Sequence, residues 1–214
     1  MNSKFLQVAL GVALSATALT ASAQKKYTEG VATYSVSTQA GNVDAKTYFK
    51  GDSSAYTFTQ GPATIKIIGT NNSSFLAVLV DVPIASMKKA AIATPAELED
   101  AKSKEPKFTF TPTTETKQIN GFNCKKVMVK DAKDNASYTA WVTNDISAPG
   151  NALSRYFAGA GGFPVQFTTV QMGQPTEIIL KSIEGATVPK GTFSVPADFD
   201  KITLEELRSM GGGE

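Results

Sequence analysis

Any chemistry done by this chain is done without histidine, because the sequence contains none. That removes the commonest general base, the commonest metal ligand and the usual pH switch near neutrality, and with them Ser-His-Asp, Cys-His and His-metal sites. The single cysteine, Cys124, cannot form an internal disulfide. Lying between Phe122 and Val127 in a strand-like run, it reads as a small buried hydrophobe. The acidic pairs Asp198/Asp200 and Glu205/Glu206 have carboxylates close in sequence, but neither pair has the ligand spacing of a calcium loop. They read as solvated or capping groups, and Lys88-Lys89 and Lys125-Lys126 as surface or strand-edge lysines. No catalytic residue, metal ligand or cofactor site is therefore expected, and the chain reads as a non-enzyme.

What remains is apolar. Trp141 and Tyr138 sit close together on one strand, and Phe163, Phe167 and Met172 lie on another, with Phe163 and Phe167 at the even spacing that shares a face. Two readings stand for these rings, the lining of a ligand cavity or ordinary core. The run Leu153, Arg155, Tyr156, Phe157, followed by Gly159-Ala160-Gly161-Gly162, has the parts of a lid: apolar residues to shield a cavity, a charge to clasp it and glycines to hinge it. It reads equally as a surface helix with a glycine-rich connection.

The chain opens on what reads as an export leader. Lys4 gives a positive start, Phe5 to Leu19 an apolar stretch too short and too rich in Ala, Ser and Thr to span a bilayer, and Ala21-Ser22-Ala23 a small-x-small cleavage site. Residues 1–23 are expected to be removed and residues 24–214 to form one β-rich domain, periplasmic or secreted, with no stable membrane span. With 21 Lys and Arg against 19 Asp and Glu, and no basic stripe, nucleic acid is not an expected partner.

Short alternating runs separated by Gly-, Asn- and Ser-rich turns fill the chain from Tyr27 onward: Val31–Thr38, Ala45–Lys50, Ala55–Thr59, Thr64–Ile68 and Phe75–Val82. Thr94, Pro95 and Glu97 then open a short helix that Pro106 stops. Strands resume at Lys107–Pro112, Glu115–Ile119, Phe122–Lys130 and Ser137–Thr143, with Asn120-Gly121 as a two-residue hairpin turn. A second helix is expected over Pro149–Phe157, two long strands over Phe163–Met172 and Thr176–Glu184, and a terminal helix over Thr203–Met210 with a Thr203/Glu206 capping box. Ten or eleven antiparallel strands with short helices argue for one strongly curved sheet, an incomplete β-barrel whose helices form a lid.

The stretches TTETKQINGFNCKKVMV (Thr113 to Val129), YTAWVTNDI (Tyr138 to Ile146), GGFPVQF (Gly161 to Phe167) and FSVPADFDKI (Phe193 to Ile202) resemble, in this order, an uncharacterised domain-of-unknown-function family (DUF4412-like) of exported Bacteroidetes-type proteins. That family is similar in architecture to the LolA/LolB-type lipoprotein carriers, whose curved sheet and helical lid hold acyl chains. The resemblance implies a LolA-like fold. The Arg with which such carriers lock their lid has no matching motif here around Arg155 or Arg208. The expectation is an envelope protein binding a hydrophobic ligand, a lipid or the acyl chain of a lipoprotein, through Trp141, Tyr138, Phe163, Phe167, Leu153, Arg155, Tyr156 and Phe157. The alternative is an envelope protein–protein interaction module with a filled core. A carboxylate-based hydrolase has no supporting feature.

Overall fold

The computed structural model describes residues 24–38, 41–133, 135–171 and 174–211. The expected leader, Met1 to Ala23, lies outside the described residues, as do Met172 and Gly173. In chain order the elements are β1 (Lys25–Lys26), β2 (Glu29–Thr38), β3 (Gly41–Lys50), β4 (Ser53–Gln60), β5 (Ala63–Thr70), β6 (Leu76–Val82), β7 (Met87–Ile92), α1 (Pro95–Lys104), β8 (Phe108–Ile119), β9 (Phe122–Asp131), β10 (Ser137–Thr143), β11 (Ile146–Ser147), β12 (Phe163–Gln171), β13 (Gln174–Gly185), β14 (Asp200–Ile202) and α2 (Leu204–Gly211).

Twelve of the strands form one sheet in the order β14-β7-β6-β5-β4-β3-β2-β13-β12-β10-β9-β8, while β1 and β11 pair separately and in parallel. The sheet is open, with β14 and β8 at its two edges. Hairpins account for most of the pairing. Asn120 and Gly121 both take positive φ, 48° and 83°, as a type I′ turn requires, and bring Ile119 opposite Phe122. The expected strands over Lys107–Pro112 and Glu115–Ile119 are one strand, β8, whose pairing with β9 slips between Pro112 and Thr116.

Three further features differ from the sequence expectation. The sheet is mixed, because β14 joins β7 in parallel. Strand β7 itself carries Lys88 and Lys89, which read as surface or strand-edge lysines; both are held by carboxylates from the far end of the chain, Lys88 by Asp198 at 2.7 Å and Lys89 by Asp200 at 3.0 Å. The helix expected over Pro149–Phe157 is a looped segment with one 3₁₀ turn, Arg155–Phe157. Its helix is pre-empted locally: the Asn151 side chain accepts from the backbone N–H of Leu153 and Ser154, and the Ser154 hydroxyl accepts from Asn151 N–H.

Both helices that do form start on reciprocal caps. Thr94 Oγ1 accepts from Glu97 N–H while the Glu97 carboxylate accepts from Thr94 N–H, and Thr203 and Glu206 repeat the arrangement at α2. A further bond, Glu205 N–H to Glu97 Oε1 at 3.1 Å, ties the starts of the two helices together.

The alternation along the strands buries apolar side chains on both faces of the sheet. The larger core lies on the face carrying Ala32, Tyr34 and Val36 of β2, here called the inner face, and includes Phe157, Phe163, Phe167, Ile178 and Leu180. A smaller core of Ala55, Ile68, Ala77, Leu79 and Ala90 occupies the outer face of β4 to β7, under Phe193, Val195 and Phe199 from the connection after β13.

Candidate functional site

The inner face is divided by the segment 148–162. Asn151 is fully buried and donates to the Tyr34 hydroxyl at 2.9 Å, so the segment is pinned to the middle of β2 by a polar bond inside an apolar core. Burial pushes the Tyr34 hydroxyl up to about 12, with the hydrogen bonds from Asn151 and Ser154 acting in the opposite direction. Leu153, Phe157 and Ala160 enter the core beside it. Phe157 is 1% exposed and packs on three rings, Phe108, Phe110 and Phe167, with its centroid 4.7 Å from that of Phe167.

Arg155 holds the segment from its other side. Its guanidinium pairs with Glu105, the residue capping α1, at 2.7 Å, and donates to Ser73 Oγ, Asn71 O and the Tyr156 hydroxyl, with its carbon 4.5 Å from the Tyr156 ring centroid. Ser73 sits in the left-handed region, φ 56°, in the β5–β6 turn, and its hydroxyl donates to the same Glu105 oxygen. One cluster thus joins the segment, the end of α1 and the β5–β6 turn. The Tyr156 hydroxyl is raised from its ordinary value, chiefly by burial.

Two openings share this segment as a wall. One, of about 380 Å³, takes Ser154, Phe157 and Ala158 from it and is completed by Gln24, Asn144 and Phe163. Gly162 stands at this opening for a packing reason, since a Cβ there would lie 2.8 Å from Thr143 O. The other opening, of about 120 Å³, takes Ala152 and Arg155 from the segment and has Ile67, Phe75, Leu76 and Leu98 as its apolar walls.

Beyond the smaller opening the inner face of β4 to β6 remains half-buried. Register places Tyr56, Ile67 and Val78 in one cross-strand row and Phe58, Ile65 and Val80 in the next. Of these six only Tyr56 is buried, with its ring stacked on Phe58 at 5.1 Å and its hydroxyl raised to about 12 by burial. Phe58 and Ile67 touch the margin of the inner core, and Ile65, Val78 and Val80 continue the stripe away from it.

The eight residues expected to line a site are thus distributed as follows. Leu153, Phe157, Phe163 and Phe167 are in the inner core, with Tyr138 partly buried against it. Arg155 and Tyr156 form the polar cluster. Trp141 is partly buried at the margin of the same core; it pairs across the ladder with half-buried Gln166 and Lys126, and the Lys117 ammonium lies 4.2 Å from its ring centroid. Missed by sequence reasoning were Tyr34 and Asn151, Glu105 and Ser73, and the stripe from Tyr56 to Val80. The alternation in β4 to β6 was the available signal for the stripe, but it does not say which face stays uncovered.

Cys124 is 2% exposed, and burial together with the nearby Asp145 carboxylate pushes its thiol up to about 11. Among the described residues no group of three or more His, Cys, Asp or Glu is placed to hold a metal ion, and no helix is long and apolar enough to cross a membrane.

Comparison with known proteins bears on the fold. No family model matches the chain, and no curated protein matches it. Among solved structures, the chain is similar to PNGF-II. The match has a TM-score of 0.50 and 14% identity, and covers 85% of this chain and 32% of that one. The chain therefore spans about a third of the length of the structure it matches, and the likeness concerns the fold alone.

Proposed function

We propose that this chain is an exported, non-enzymatic envelope protein that holds a hydrophobic ligand, a lipid or the acyl chain of a lipoprotein, on the inner face of an incomplete β-barrel. The observation that carries the reading is the half-buried apolar stripe of Phe58, Ile65, Ile67, Val78 and Val80 beside the 120 Å³ opening. Such side chains are ordinarily covered in an apolar core, and each that stays wet forgoes part of the roughly 1.5–3 kcal/mol that full burial supplies. An acyl chain laid along the stripe recovers that term without needing a catalytic group.

In this reading segment 148–162 and α1 act as the lid. Segment 148–162 is fixed by Asn151 and Phe157, so α1 is the part that moves, and it meets the segment through the charged, partly solvated Arg155–Glu105 pair. Kinship with the exported domain-of-unknown-function family and with LolA/LolB-type carriers, cleavage after Ala23 and a periplasmic or secreted location belong to the same proposal.

A second reading, an envelope protein–protein interaction module, is favoured by the filling of the other half of the inner face by Leu153, Phe157 and Ala160. Native mass spectrometry of protein purified from its own envelope without detergent separates the two. Lipid in stoichiometric amount supports the carrier and names its cargo. An apoprotein that takes up no lipid on incubation leaves the interaction module.

A further inference from the structure

The tip between β6 and β7 presents the most exposed large apolar side chain among the described residues. Ile84 is 83% exposed, whereas Met210 and Met128 are 56% and 40% exposed. The tip is a 3₁₀ turn, Pro83–Ala85, closed by a bond from Ser86 N–H to Pro83 O at 3.0 Å, with Ser86 at φ 49°. Proline and this closure fix the backbone, so Ile84 is held outward by construction. Its neighbours Pro83 and Ala85 are exposed, and Val82 and Met87, paired at the base of the turn, are half-buried.

Two further observations give the tip an occupant. First, it continues the inner-face stripe: Phe58, Ile65 and Val80 form the cross-strand row nearest this end of β6, and Val82 follows two residues later on the same face. Second, the charges near the tip are mixed in sign: Lys88 and Lys89 pair with Asp198 and Asp200, and Asp81 lies opposite Lys88. An acidic or basic protein surface finds no patch of one sign there to recognise, whereas a bilayer interface accepts an apolar knob.

We propose that the Pro83–Ala85 tip is a membrane-contact point, which inserts Ile84 shallowly into a lipid interface and brings the β6–β7 end of the stripe to the bilayer from which ligand enters. The ligand part rests on the function proposed above; contact with the membrane stands on the tip's own geometry. Association is weak and reversible, since a single apolar knob buries little area.

The test uses the mature chain, residues 24–214, with phosphatidylcholine vesicles in flotation at low and high salt, alongside uptake of a fluorescent fatty acid delivered either in vesicles or free in buffer. The proposal expects weak flotation that salt does not abolish. Ile84→Glu should reduce it about tenfold and slow uptake from vesicles, while free fatty acid is taken up as before. Ile84→Trp should strengthen flotation, and unchanged thermal melts show that both variants fold. Absence of wild-type flotation, flotation lost in high salt, or equal flotation of Ile84→Glu overturns the tip's role. Flotation that depends on Ile84 without uptake from either source keeps the membrane contact and removes the ligand reading.

Discussion

The two halves of the inner face are built from the same kind of strand and end in opposite states. Over β2, β13 and β12 a looped segment delivers Leu153, Phe157 and Ala160 into the sheet, and Phe157 meets three other rings. Over β4 to β6 the rows Tyr56-Ile67-Val78 and Phe58-Ile65-Val80 are equally apolar, yet five of those six side chains remain half-buried. Alternation therefore specifies that a face is apolar, and a separate stretch of chain decides whether that face becomes core or surface. The filled half supplies stability, and in the proposed function the stripe is where a ligand binds at small cost to the fold.

The sharpest way to break that contrast is a pair of truncations. Phe157→Ala should lower stability by about 3–5 kcal/mol, because the ring is fully enclosed and its cavity cannot collapse, whereas Phe58→Ala should cost about 1 kcal/mol and reduce ligand uptake. Thermal and urea melts of both variants check this, and equal losses would erase the distinction between the halves.

Asn151→Ala removes one of the two partners of the buried Tyr34 hydroxyl, Ser154 being the other, and the side-chain acceptor for two backbone N–H groups, and is expected to cost about 2–3 kcal/mol. Restoration of part of that loss by adding Tyr34→Phe would show that the hydroxyl, left with Ser154 alone, contributes to it.

Alkaline titration probes both halves together. Tyr34 and Tyr56 are each raised to about 12 in the folded chain from an ordinary 10. The unfolded chain therefore loses these protons first, and stability present below pH 10 falls as pH rises towards 12, by on the order of 2 kcal/mol for each tyrosine. Urea midpoints measured from pH 9 to 12 should drop steeply, and Tyr34→Phe should flatten the slope. A slope unchanged in that variant would mean that Tyr34 ionises freely.

The smallest effect on stability is expected at the join between the halves. Glu105→Gln removes the charge opposite Arg155 but leaves the Ser73 and Asn71 contacts, so it should cost about 1 kcal/mol or less while speeding ligand uptake. Uptake at the wild-type rate would indicate that segment 148–162 and α1 do not move apart.

Features set by neighbours in sequence were legible from the residues. The Thr94/Glu97 and Thr203/Glu206 boxes need only three residues of separation, and the Asn120-Gly121 turn only two, because each is a local bond or a local φ preference. Burial of Cys124 followed from its type and its apolar flanks. The helix expected over Pro149–Phe157 failed where local chemistry offered two solutions, since Asn151 and Ser154 bond the backbone of their own loop and win over the helix. Strand β7 was hidden because Lys88 and Lys89 suit an exposed surface equally well, and their partners lie more than a hundred residues away. Trp141 could not be assigned a face without knowing which side of its strand receives the core.

The sequence by itself determined that the domain is mainly β, where most strands turn, how both helices start and that histidine chemistry is absent. Those properties follow from period-2 burial, φ preferences and side-chain inventory, all of them local. Only the tertiary structure decided that Tyr34 and Asn151 meet across 117 residues, that Arg155 reaches Glu105 across 50, and that the stripe from Phe58 to Val80 stays half-covered. Those outcomes depend on where a loop packs against a distant sheet, and packing is a competition among surfaces that no short window of residues contains.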